Sequence, residues 1–262
     1  MDEYRKRDLE SDEAKVWTYF NPANLFLIHE REREILKLLA LHGLSDLTKT
    51  KILDVGCGTG ALLRRFIDYG AQPFNLYGID LMEHRVKLAR ETSPNITFIL
   101  GNAEKIDFPD KSFDIITQFT CFSSVLNDHV KAALAKEMLR VLKDDGLIVW
   151  YDMRPSSYLL SVFLILADVL SRVLKKGARL IKRSDYIEQV PKIKRAETTI
   201  KAIGRREIIS LFSDCEIQAR AVSLYFPLAS LSFTSWILSE ILLKLQFLRT
   251  HYLISIRKRR IH

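Results

Sequence analysis

Residues 51–60 read KILDVGCGTG: an apolar run, an acid at Asp54, then Gly56, Gly58 and Gly60 spaced by Cys57 and Thr59. Glycines between a strand-like run and a helix bring bare backbone N–H groups close to a ligand. A phosphate-cradling Walker loop needs G-x-x-x-x-G-K-[ST], and here Gly60 is followed by Ala61 and Leu62 with no lysine. The dinucleotide fingerprint is G-x-G-x-x-G. This loop, G-x-G-x-G, is one residue tighter and suits a small zwitterion with a nucleoside better than a pyrophosphate. Asp80 closes FNLYGID about 20 residues further on, where a carboxylate can accept from both ribose hydroxyls. Asn102, in ILGNAEKIDF, carries an amide able to bond an adenine edge. Each has a plainer role too: Asp80 as a helix cap, Asn102 as a turn residue, Cys57 as a merely small side chain.

These residues need a scaffold that brings their ends together. Strand-like runs at Lys51–Val55, Phe74–Asp80, Ile96–Leu100, Phe113–Gln118 and Gly146–Asp152 alternate with helical runs at Leu62–Tyr69, Met82–Glu91 and Val130–Leu142. Such alternation implies right-handed crossovers and a mainly parallel α/β sheet covered on both faces, with ligands at the strands' carboxyl ends. An amphipathic helix from Asn24 to His42 precedes it, stopped by Gly43. After Asp152, the segment Pro155–Arg183 is apolar and then basic. Helix and strand patterns return near Arg205–Phe212, Glu216–Leu224, Ser232–Leu245 and His251–Arg257.

In these blocks, ILDVGCGTG, LYGIDL, GNAEKIDFPDKSFDII and EMLRVLKDDGLIVWYD, the chain resembles the class I S-adenosylmethionine-dependent methyltransferases. The resemblance spans roughly residues 50–152. It implies a Rossmann-like seven-stranded sheet whose last strand, here HYLISIR, is antiparallel, and S-adenosyl-L-methionine as cofactor. By resemblance, Asp54, Gly56 and Gly58 face the methionine part, Asp80 takes the ribose, Leu81 packs on adenine and Asn102-Ala103 reads its edge. With Cys57, Gly60 and Gln118 these make the implied cofactor-binding set. More narrowly, YFNPANLFLIHERE, QFTCFSSVLND, WYDMR, IGRREIISLF and FLRTHYLISIRK are similar to bacterial methyltransferase-like proteins of surface-polysaccharide pathways. Those relatives have a short polar link where this chain has its long apolar and basic segment.

Displacement at a sulfonium methyl mainly requires alignment and exclusion of water, and a hydroxyl or carbon acceptor also profits from a base. The candidates at the mouth are Tyr19, Asn21 and His29, Gln118, and Tyr151, Asp152 and Arg154, with Asp152, Tyr19 and His29 named for catalysis. No catalytic base is assigned among them. The expected organisation is one domain over 1–262, with a helical cap over 1–48 and a helical insertion over 155–200. Three scattered cysteines and no C-x-x-C argue against a disulfide scaffold or a metal site and fit a reducing cytosol. The charged start, MDEYRKRDLESDEAKVW, has no apolar core of a signal peptide.

A net charge of +8 suggests an anionic neighbour. The apolar run from Tyr158 is too short to span a bilayer, but with the cations up to Arg183 it can lie in a membrane interface; it can equally be a lid. A nucleic-acid partner is disfavoured, since QFTCFS stands where a [DNS]-P-P-[YF] motif would follow the fourth strand. The expected acceptor is a small molecule, a glycan or a lipid-linked group. The alternatives are a quinone-type C-methyltransferase and a non-catalytic cofactor-binding subunit.

Overall fold

Four consecutive residues buried on both faces, Ile52 to Val55, mark the centre of a parallel sheet, where helices cover both sides and alternation disappears. The computed structural model describes residues 18–155, 200–225, 228–229 and 236–259. In chain order the elements are α1 (Pro22–Leu41), β1 (Ile52–Val55), α2 (Ala61–Asp68), β2 (Leu76–Asp80), α3 (Glu83–Thr92), β3 (Thr97–Leu100) and β4 (Phe113–Phe119). Then come α4 (Asp128–Val141), β5 (Leu142–Met153), α5 (Arg205–Leu211), β6 (Cys215–Leu224), α6 (Trp236–Lys244) and β7 (Arg249–Lys258). The segment 158–183 and nearly all of the expected insertion lie outside the described residues.

The seven strands lie in the order β3-β2-β1-β4-β5-β7-β6. Strands β1 to β5 pair parallel, and β7 runs antiparallel to β5, with Tyr151 opposite Leu253 and Met153 opposite His251. The expected seven-stranded sheet with an antiparallel last strand is therefore the one observed. Chain order reverses between β1 and β4, and in open α/β sheets ligands bind outside the carboxyl ends at such a switch.

Of the boundaries that differ from the sequence reading, three have a clear local reason. Pro73–Asn75 form a 3-10 turn, so β2 starts at Leu76 and Phe74 is exposed. Helix α4 starts two residues early because the Asn127 side chain accepts the His129 and Val130 N–H groups. Strand β5 begins at Leu142 through a bulge: Phe113 pairs with Leu142 but Ile115 with Leu147.

Side-chain alternation gives the sheet two different faces. Leu53, Val55, Ile116, Ile148, Trp150 and Ile254 join Phe122, Met138, Val141 and Phe212 in one apolar core. The in-register residues Asp54 and Thr117, and further along Phe119 and Tyr151, belong to the opposite face.

The contacts divide the chain into two compact units: residues 1–31, 155–198 and 222–250, and residues 32–154, 199–221 and 251–262. In the first, Leu224 and Leu248 pack with Phe26, Leu27, Tyr225 and Leu242. There the buried Glu30 carboxylate accepts the Ser223 and Leu224 N–H groups and pairs with Arg249. The second unit holds the glycine loop and most of the sheet. Among the described residues no helix is long and apolar enough to cross a membrane.

Candidate functional site

The loop after β1 bends through three left-handed residues, Gly56, Gly58 and Gly60, with φ of 74°, 54° and 77°. The three glycines are needed for different reasons. A Cβ on Gly56 would sit 2.8 Å from Cys121 Sγ, and one on Gly60 would sit 2.5 Å from the Phe98 ring. A Cβ on Gly58 would meet nothing within 4 Å. Two glycines therefore serve packing, and the middle one faces open space. Gly78 of β2 makes room for Cys57: a Cβ there would lie 2.7 Å from the Cys57 sulfur.

Asp80, at the carboxyl end of β2, points into this bend. Its Oδ2 accepts the Gly58 N–H at 2.8 Å, and its Oδ1 accepts the Met82 N–H at 2.8 Å in a turn just ahead of α3, whose N-cap residue Met82 has no side-chain cap. The sequence offered ligand contact and helix cap as alternatives; the carboxylate ties the loop to the turn ahead of α3 and does not cap the helix. Each carboxylate oxygen keeps a further lone pair for a hydroxyl.

Asp54 is buried under the loop, where Thr117 Oγ1 donates to its Oδ1 at 2.6 Å. Burial, and secondarily the Asp80 charge, push its carboxyl up to about 7 against the Thr117 hydrogen bond. The same two carboxylates reinforce the effect of burial on Cys57, whose thiol is raised far from ionisation. The hydrogen bonds to Asp54 and Asp80 come from N–H and O–H groups rather than cations, so a positively charged ligand would relieve their mutual repulsion. Among the described residues no cluster of His, Cys, Asp and Glu could hold a metal.

Leu81 is 54% exposed beside Asp80, as a residue that packs on a flat ligand must be. Asn102 follows β3 and is exposed; its Oδ1 accepts the Glu104 N–H and its Nδ2 donates to Glu104 Oε1. That is the turn geometry, and Ala103 beside it is buried. A surface cleft of 310 Å³ between α3 and β3, lined by Glu83, Val86, Lys87, Arg90, Glu91 and Leu100, contains none of these residues.

Gln118 and Asp152 are spent on structure. Both are buried, on the face of the apolar core. Gln118 Oε1 accepts from the Cys121 and Phe122 N–H groups, and its Nε2 donates to Asp152. Asp152 also accepts the Ser123 and Met153 N–H groups and is 1% exposed. Burial raises its carboxyl, partly opposed by these hydrogen bonds. The pair clamps the turn after β4. Tyr19 and His29 belong to the other compact unit and are exposed.

The sequence reading missed a stack of rings across the carboxyl end of the sheet. Phe119 stacks on Tyr151 at 5.1 Å, and Tyr151 on His251 at 4.6 Å with only 5° between the planes. Next to it Thr120, with φ of 54°, donates its N–H to the Tyr151 carbonyl at 2.8 Å. A β-branched residue in the left-handed region costs of order 1–3 kcal/mol and marks a turn held by its surroundings. HYLISIR was already read as the antiparallel strand, so its first residue had to fall at the carboxyl end of β5. That was the available signal for His251.

Residues 52–146 match the family model described as a methyltransferase domain. Over 109 residues the chain is 41% identical to the 2-methyl-6-phytyl-1,4-hydroquinone methyltransferase of Synechocystis sp., covering 39% of this chain and 32% of that protein. The chain thus spans about a third of that relative's length. It is 26% identical over 222 residues to the demethylmenaquinone methyltransferase of Lactococcus lactis, covering 77% of this chain and 86% of that one. A solved SAM-dependent methyltransferase from Methanosarcina mazei superposes with a TM-score of 0.56 at 18% identity, covering 85% of this chain and 98% of that one. Residues 52–146 are therefore similar to methyltransferase domains, and the seven-stranded sheet around them has the fold of S-adenosylmethionine-dependent methyltransferases.

Proposed function

We propose that the chain is an S-adenosylmethionine-dependent methyltransferase whose acceptor is a small or lipid-linked molecule with an apolar or aromatic reacting part. The observation that carries the cofactor half is the Asp80 carboxylate bonded to the Gly58 N–H beside the one loop glycine that faces open space. Asp80 and Leu81 would hold the ribose and adenine, Asn102-Ala103 the adenine edge, and Asp54 with the loop N–H groups the methionine part. The cofactor supplies a methyl group on a sulfonium, and the positive charge suits the Asp54 and Asp80 carboxyl groups, which raise each other's cost of ionisation at the loop. Calorimetry with S-adenosylhomocysteine tests this: heat from the wild type and none from Asp80→Ala is expected. No heat from the wild type would reject both the enzyme and a non-catalytic cofactor-binding subunit.

The acceptor half rests on the rings Phe119, Tyr151 and His251 and the exposed Leu81 and Leu126 around the carboxyl ends, which suit a flat apolar group. Two relatives named above act, by their names, on a phytylhydroquinone and on demethylmenaquinone. The resemblance to surface-polysaccharide proteins supports a glycan acceptor as the second reading, through the YFNPANLFLIHERE and QFTCFSSVLND segments. Labelled cofactor offered with a prenylated hydroquinone and with a cell-envelope glycan extract separates the two by which product carries label.

The proposal extends to organisation: one domain over 1–262, capped by 1–48 and carrying 155–200 as an insertion. Its basic 158–183 segment would rest on an anionic membrane surface at the cytoplasmic face. Equal pelleting of the wild type and a 158–176 deletion with anionic liposomes would remove the membrane contact.

A further inference from the structure

Beneath the glycine loop lies a carboxyl group whose surroundings hold no counter-charge among the described residues. Asp54 is 3% exposed, and the hydroxyl of Thr117, its in-register neighbour on β4, donates to it at 2.6 Å. The titratable groups that reach it are Asp80 from β2, Cys57 from the loop and Cys121 from the turn after β4. Arg64, on α2, donates instead to the Thr59 carbonyl and the Ser93 hydroxyl. A buried carboxyl that faces a second carboxylate, with a neutral hydroxyl as its donor, favours the protonated form. Burial first, and then the Asp80 charge, accordingly hold Asp54 up at about 7, while the Cys121 thiol, at about 12, and the still higher Cys57 thiol stay protonated. Asp54 is therefore the group under the loop that a change of charge near neutral pH can ionise.

Given the methyltransferase reading, on which this step rests, the methionine part of the cofactor lies against this loop. Its ammonium and carboxylate offset one another and are the same in donor and product. The sulfonium is the charge that differs, present in S-adenosylmethionine and gone from S-adenosylhomocysteine. We infer that Asp54 distinguishes donor from product, giving up its proton to solvent as the sulfonium binds and taking one back once the methyl group has left. The charges balance at each stage: a neutral carboxyl faces the empty or product-bound site, and a carboxylate faces the sulfonium. Direct contact is not required, because the low-dielectric interior that carries the Asp80 charge to Asp54 carries the sulfonium charge as well. Below the carboxyl's own range the donor has to displace a proton in order to bind, and above it the carboxylate is already formed. Preference for donor over product therefore grows with pH, by about tenfold for one proton between pH 6 and 7.5.

The test is calorimetric titration of the full chain, without acceptor, with S-adenosylmethionine and separately with S-adenosylhomocysteine. From about pH 6 to about pH 7.5 the wild type's affinity for the donor is expected to rise about tenfold while its affinity for the product stays level. Donor binding near pH 6, repeated in two buffers of different ionisation enthalpy, should release about one proton, and product binding none. Asp54→Asn should bind both ligands with an affinity that does not change over this interval. Thr117→Val removes the hydroxyl that favours the charged form, so the midpoint of the donor's pH dependence should move up. A donor-over-product preference that ignores pH in the wild type, donor binding without proton release, or the wild-type pH dependence surviving in Asp54→Asn would each overturn the inference. The two wild-type measurements decide it even if neither variant folds. A wild type that binds neither ligand overturns the methyltransferase reading first, and this step with it.

Discussion

The Asp80 carboxylate accepts the Gly58 N–H at 2.8 Å, so the residue assigned to the ribose also holds the loop assigned to the methionine part. Removing it therefore has two consequences. Asp80→Asn keeps an acceptor but loses the charge, and charged hydrogen bonds are worth about 1.5–3 kcal/mol each. Affinity for S-adenosylhomocysteine is expected to fall at least about tenfold. Asp80→Ala should in addition lower the melting temperature of the ligand-free protein, because the Gly58 and Met82 N–H groups both lose their acceptor. Calorimetric titration beside a thermal melt checks both; an unaltered melt in Asp80→Ala would show that the loop does not depend on this carboxylate.

The loop glycines should separate by phenotype. Gly60→Ala puts a methyl 2.5 Å from the Phe98 ring at a φ of 77°, so the fold has to yield; a loss of roughly 3 kcal/mol or more is expected from strain and overpacking. Gly58→Ala meets no protein atom and bears only the left-handed cost of about 1–2 kcal/mol. It should fold, yet lose cofactor binding, because its methyl enters the open space. Urea denaturation paired with a binding assay distinguishes them. A Gly58→Ala variant that binds normally would mean the cofactor does not approach this glycine.

Asp54 gives a pH dependence with a definite sign. Its carboxyl is raised from 3.8 to about 7, so the native state holds a proton that the unfolded chain releases. The associated stability is present below about pH 4 and is lost as pH rises toward 7, by up to about 4 kcal/mol at 1.36 kcal/mol per unit. Asp54→Asn cannot ionise. The stability of Asp54→Asn relative to wild type, from denaturant titrations without ligand, should rise from pH 4 to 7 and then level. A constant difference would place the proton elsewhere.

The sheet and the glycine loop were legible because each rests on local pattern. The run Ile52–Val55 reads as a central strand, and Gly56, Gly58 and Gly60 can only mean unusual backbone. The acceptor side was not legible for a geometric reason. Tyr151 and His251 are a hundred residues apart and meet only because β7 runs antiparallel beside β5, a diagonal contact that no short window contains. Asp152 misled in the opposite way. A carboxylate at a strand's carboxyl end looks like a base, but one residue of alternation turns it from the Tyr151 face to the core face. Residues 143–145, between the expected helix and strand, show no strand pattern because a bulge has the composition of a turn.

The reassignment of Asp152 can be tested directly. Its two oxygens accept from Ser123, Met153 and Gln118, and an asparagine amide must turn its NH2 group toward at least one of these donors. One buried donor is then left unpaired, at a cost of about 1–3 kcal/mol, so Asp152→Asn should be less stable than wild type at neutral pH. The turn that carries Cys121 and Phe122 also hangs on Gln118, so Gln118→Leu should lower stability in the same way, and the double variant should lose less than the sum of the two. A group that only clamps a turn leaves the pH dependence of the rate unchanged. Methyl transfer by Asp152→Asn should therefore be slower but keep the wild-type pH profile, and a lost limb in that profile would return Asp152 to the chemistry.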